Sequence, residues 1–134
     1  MLVVDSSVWI QLFRGDPSTA ASLELERLLQ AGSVRLVVPD LVLYEVLRGF
    51  EREASHRRAR ALMESLDIES TGGHDLALSA SQHYRHLRAR GITLRSAIDV
   101  LIATFCIEND YMLLHQDRDY DAFGAHRGLR VWQP

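Results

Sequence analysis

Lysine is absent from this 134-residue chain, and all 15 of its basic residues are Arg. The planar guanidinium fork suits phosphate groups, although a uniform Arg bias also follows from genomic base composition. Cysteine occurs once, as Cys106, so no internal disulfide can form, and its apolar setting between Phe105 and Ile107 reads as a small core residue rather than a redox centre. No apolar run approaches the roughly 18 residues that a membrane span needs. No basic stretch precedes an apolar one at the N-terminus, so a secretory signal is not expected and the cytoplasm is the expected compartment. Internal repeats, linkers and low-complexity segments are also missing, and the length suits one domain over 1–134.

What is present is the composition of a globular protein, 47% hydrophobic and 25% charged. The net charge of -3 argues against a nucleic-acid partner taken as a whole, because phosphate contacts need cations. Acids gathered around a metal would leave the remaining surface more positive than that total. Arg57, Arg58 and Arg60 lie close together in a charged stretch that reads either as a solvated helix face or as a phosphate-contacting patch.

The chain is organised around Leu2-Val3-Val4-Asp5. A short β-branched apolar run reads as a buried parallel strand, and Asp5 stands where that strand leaves the sheet. Helical spacing continues over 8–13 until Gly15-Asp16-Pro17, and a second helix is expected from about Ser18 to Ala31, closed by Gly32. Val34 to Val38 forms a strand stopped by Pro39. Asp40 can cap a helix over 41–50 whose apolar residues face nearly all round, which predicts that it is largely buried. Leu66 to Glu69 reads as a short edge strand, and 74–90 and 96–109 as helices. Tyr111 to Leu114 and Leu129 to Trp132 complete the strands. Strands alternate with helices, so the expected fold is α/β with a central parallel sheet between helical layers.

Four acids interrupt or end apolar elements. Asp5 also reads as an N-cap. Glu45 lies inside the apolar third helix and needs a partner, which Arg48 could supply three residues on. Asp99 follows Ser96 in capping-box spacing. Asp117, with Asp119 and Asp121, reads as a surface loop; the calcium-loop alternative fails, because Ala122 and Gly128 stand where Gly and Glu are required. Taken together, Asp5 and Asp117 follow strands, whereas Glu45 and Asp99 sit early in helices that start from the same sheet edge. Packed carboxylates require protons or a cation, and an all-oxygen set suits Mg²⁺ or Mn²⁺. Metal-assisted phosphodiester hydrolysis is the chemistry that fits.

Val3-Val4-Asp5-Ser6-Ser7-Val8, Tyr44-Glu45-Val46, Ala97 to Ala103 and Leu113 to Tyr120 together resemble a PIN domain of the VapC type, the toxins of prokaryotic toxin-antitoxin pairs. The resemblance implies a three-layer α/β/α fold of about five strands in order 3-2-1-4-5 and a Mg²⁺- or Mn²⁺-dependent endoribonuclease. It implies Asp5, Glu45, Asp99 and Asp117 as catalytic and metal-binding acids, with Ser7 a polar neighbour and Asp119 an auxiliary acid. A homodimer and inhibition by a VapB-type antitoxin, whose tail enters the groove and often places an Arg among the acids, are implied as well. Tyr120 stands where Phe is common, which reads as conservative. A PIN-like module that binds RNA or protein without cutting is the alternative. A haloacid-dehalogenase-like phosphatase fits less well, since Ser7 occupies the place of its second Asp and no Lys is available; a receiver domain fails similarly.

Overall fold

Leu2–Val4 (β1) forms the centre of a parallel sheet in the computed structural model, which describes residues 1–15 and 17–134. All three residues are buried, as a β-branched run covered on both faces must be. The flanking strands are Leu36–Pro39 (β2), Asp67–Glu69 (β3) and Met112–Leu114 (β4), in the order β3-β2-β1-β4 with every pair parallel. Register is set by Val3 opposite both Val37 and Leu113.

The expected fifth strand over 129–132 is reduced to one parallel bridge, Leu113 to Val131, on the outer edge of β4. Its position keeps the order 3-2-1-4-5, and its brevity has a physical cause. Alternate residues of a parallel strand bond to opposite neighbours. Met112 donates to Met1 and Leu114 accepts from Asp5, both inward, so Leu113 alone of β4 bonds outward, to Arg130 and Trp132. The tail is held further by Trp132, whose indole N–H donates to Glu24 Oε2 at 2.9 Å. Trp132→Phe should therefore lower the unfolding free energy by about 1 kcal/mol, read as a shifted urea midpoint with unchanged slope; an unmoved midpoint would show that this tie anchors nothing.

The helices are Ser6–Phe13 (α1), Ala20–Ala31 (α2), Asp40–Leu47 (α3), Glu53–Glu64 (α4), His74–Ala89 (α5), Ala97–Asn109 (α6) and Asp121–His126 (α7). The expected stop of α1 at Gly15-Asp16-Pro17 includes Asp16, which lies outside the described residues. α2 starts two residues later than expected because Thr19 and Ser22 form a reciprocal capping box. α6 is buried from Ile102 to Cys106, and Cys106 is a core residue.

α3 departs from expectation. Only Val42 and Val46 are buried in it, and Tyr44 is 55% exposed with the Arg48 guanidinium 5.3 Å above its ring. The helix packs on α1, α4, α6 and the sheet, and Leu41, Leu43 and Leu47 are left half-buried at the margins of those contacts. β3 is the edge strand expected, with Ile68 exposed to solvent and Asp67 paired to Arg35. Arg57 and Arg58 are exposed and Arg60 pairs with Glu64 along α4. Among the described residues no helix is long and apolar enough to cross a membrane.

Candidate active site

The carboxyl edge of the sheet collects the acids. β1 delivers Asp5 into an extended conformation (φ -65, ψ 152), and its N–H donates to Leu114 O at 2.9 Å, so the β1–β4 pairing itself fixes the acid. Asp5 is 4% exposed. Its Oδ2 accepts from the Ser7 hydroxyl at 2.7 Å and from the Ser7 N–H at 3.3 Å, so it caps α1 while facing the site. The cap and the site residue, alternatives from sequence, coexist in one side chain.

Asp99 enters from the first turn of α6, and its N–H is capped by Ser96 Oγ at 3.2 Å. Asp117 follows β4 and caps the 3-10 turn Arg118–Tyr120, its Oδ1 accepting the Asp119 N–H at 2.9 Å. One carboxylate oxygen each from Asp99, Asp117 and Asp119 lie within 4.8 Å of one another. Asp119, expected as an auxiliary acid, thus belongs to the tightest acidic group.

Glu45 is near enough to raise the pKa of Asp99, but its Oε1 accepts from the Ser6 hydroxyl at 2.5 Å. Among the described residues no ion pair joins it to Arg48, which lies over Tyr44 instead. The helical spacing allowed that pair, yet the hydroxyl from α1 takes the carboxylate.

Burial pushes the Asp99 carboxyl up to about 6, with the negative charges of Asp5, Asp117 and Glu45 adding to the effect. A hydrogen bond from Tyr120 opposes it. Asp99 therefore titrates near neutrality and is the acid that most needs a cation.

Two contributors escaped sequence reasoning. Tyr120, read as a conservative replacement of Phe, is fully buried, and its hydroxyl lies 2.7 Å from Asp5 Oδ1 and 3.2 Å from Asp99 Oδ1. One proton bridges two carboxylates that would otherwise face each other unscreened, and burial beside them pushes the phenol far above its ordinary range. The available signal was that a buried Tyr needs a partner for its hydroxyl. The second is Arg95, next to the Ser96 cap: its Nε and Nη2 donate to Asp119 Oδ2 and Oδ1 at 3.1 and 3.2 Å, and Nη2 is 3.7 Å from Asp117. Behind the group, the His115 ring packs 4.9 Å from that of Tyr120, and burial lowers the imidazole pKa.

A parallel sheet carrying Asp5, Glu45, Asp99, Asp117 and Asp119 at one edge invites comparison with known proteins. The PIN domain matches residues 2–125. The chain belongs to the PIN-domain family. It is 31% identical over 131 residues to Ribonuclease VapC11 of Mycobacterium tuberculosis, covering 98% of this chain and 97% of that protein. Among solved structures, it resembles VapBC2 from Rickettsia felis bound to a DNA fragment from their promoter (TM-score 0.75, 16% identity, 98% and 96% of the two chains). It also resembles a toxin-antitoxin complex from Klebsiella pneumoniae (TM-score 0.70, 16% identity, 100% and 98%). In this PIN domain the expected acids lie at one sheet edge, but the oxygens close enough to share a divalent cation are those of Asp99, Asp117 and Asp119. Asp5 and Glu45, expected as ligands too, are outside that group and accept from Ser7 and Ser6.

Proposed function

We propose that this PIN domain, a single unit over 1–134, is a Mg²⁺- or Mn²⁺-dependent endoribonuclease, the toxin of a toxin-antitoxin pair in the cytoplasm. The observation that carries this reading is the meeting of Asp99, Asp117 and Asp119 oxygens within 4.8 Å beside an Asp99 raised to about 6. Three carboxylates so packed favour a hard divalent ion with oxygen ligands. Asp99, Asp117 and Asp119 would hold it, with Asp5 and Glu45 behind them. When bound, the ion lowers the pKa of a water and offsets charge that develops on a phosphodiester.

The protein's own groups prepare that chemistry. Ser7 and Tyr120 orient Asp5 from two sides, Ser6 orients Glu45, and the Tyr120 hydroxyl stands within hydrogen-bonding distance of both Asp5 and Asp99. Such fixed side chains limit the reorganisation needed during reaction. The similarity to a protein named a ribonuclease and to a toxin-antitoxin complex supports RNA as substrate and a VapB-type antitoxin as partner.

Purified, antitoxin-free protein should cut a panel of structured RNAs in Mg²⁺ or Mn²⁺ and not in EDTA. Cleavage that survives EDTA would remove the metal from the reading. Millimolar Mn²⁺ should also raise the melting temperature by about 5 °C, the response expected when an ion binds the folded state at well above its Kd. No shift at any metal concentration, with no cleavage, would favour the non-cutting binding module.

A further inference from the structure

Arg95 is the only cation that hydrogen-bonds to the acids of the site among the described residues, and it does so from the surface. Both of its contacts to Asp119 are within hydrogen-bonding range, yet its side chain is 68% exposed. The pairing is two-pronged and Asp119 is largely covered, but the guanidinium itself faces water, where solvent and salt screen the pair and an incoming anion can reach it. It belongs to the stretch between α5 and α6, immediately before the Ser96 cap, so its backbone is anchored while its side chain reaches the acids across the surface.

The position has a consequence for charge. Asp119 and Asp117 are two of the three acids whose oxygens converge, so a guanidinium on them satisfies the charge that a divalent ion would satisfy. A bound ion and the guanidinium would repel each other across the same carboxylates. A phosphodiester arriving at the ion would offer the displaced fork an anionic partner that matches its planar donors.

We propose that Arg95 is a displaceable counter-ion of the outer acids, which neutralises Asp119 and Asp117 before metal binds and then turns to an RNA phosphate beside the occupied site. This rests on the nuclease reading above. In the resting state Arg95 weakens metal binding, and in the substrate complex it strengthens RNA binding. The two effects have opposite signs, which a residue that merely supports the loop would not produce.

The test uses Arg95→Gln, which shortens no helix and empties no core. Mn²⁺ binding, followed by electron paramagnetic resonance without RNA, should be about 3- to 10-fold tighter than in the parent protein. Fluorescence anisotropy of a labelled single-stranded RNA in Mn²⁺ is then compared between Asp5→Asn and Asp5→Asn/Arg95→Gln across a KCl series. The double variant should bind about 3- to 10-fold more weakly, with a salt slope smaller by about 0.7, the loss of one single-strand phosphate contact. Either readout left unchanged, or changed in the opposite sense, overturns the proposal while a Mn²⁺-binding, RNA-cutting parent leaves the nuclease reading intact. A parent protein that binds no Mn²⁺ overturns both.

Discussion

Asp99→Asn is expected to lower RNA cleavage by at least about 10³-fold and, above pH 6, to raise the melting temperature of the metal-free protein. The loss follows from taking one carboxylate out of a group that has to balance a divalent ion, an effect of several kcal/mol with each 1.4 kcal/mol worth tenfold in rate. The gain follows from the pKa of about 6, since at neutral pH the folded protein carries a charge that burial, Asp5, Asp117 and Glu45 all disfavour. An amide of the same shape carries none. Asp99 is only half-buried, so solvent screens part of that penalty, and the stabilisation should be on the order of 1 kcal/mol.

Asp5→Asn should also abolish cleavage, but without that gain. Asp5 caps α1 and accepts from both the Ser7 and Tyr120 hydroxyls, and an amide supplies an acceptor on one side only. Cleavage and melting measured on both variants separate the cases. Activity near the parent level in either one would remove that acid from the reaction.

The metal-free protein should lose stability as pH rises from about 4 to 6.5. The Asp99 carboxyl is raised from 3.8 in the unfolded chain to about 6 in the folded one. The folded state therefore holds a proton that the unfolded state has already released, and stability falls with pH across that window, levelling above it. Glu24, lowered by Arg27 and Trp132, works in the opposite direction at lower pH. Subtracting the Asp99→Asn profile isolates the Asp99 contribution, and Mn²⁺ at pH 7 should restore what is lost. Tyr120→Phe removes the hydrogen bond that holds the Asp99 pKa down, so its midpoint should move to higher pH. A parent-minus-variant difference that stays flat between pH 4 and 7 would refute this account.

Much of this arrangement was legible because its signals are local. A β-branched run ending in Asp5, and acids breaking apolar helices, report both the sheet and its edge. The misreadings arose where the decision is made far along the chain. Arg48 is three residues from Glu45, but Ser6, 39 residues away, takes the carboxylate. The helix over 40–47 is apolar in composition, and composition cannot say which of its faces has a neighbour. The fifth strand takes its expected place but is only one bridge long, since the middle residue of a three-residue partner alone bonds outward. Tyr120 reads as a conservative replacement of Phe because its ring is buried as a Phe would be; its hydroxyl acquires meaning only from Asp5, 115 residues before it.

Asp5 and Asp99 also face different fates under mutation and selection. A chain released from the need to cut RNA gains stability by discarding Asp99, whereas discarding Asp5 disturbs a helix cap and leaves the Ser7 and Tyr120 hydroxyls competing for one acceptor. Drift toward inactivity should therefore start in the helix that carries Asp99 and spare the strand end. In such a descendant of this chain the first acid would persist as a relic of architecture, after the chemistry that it served has gone.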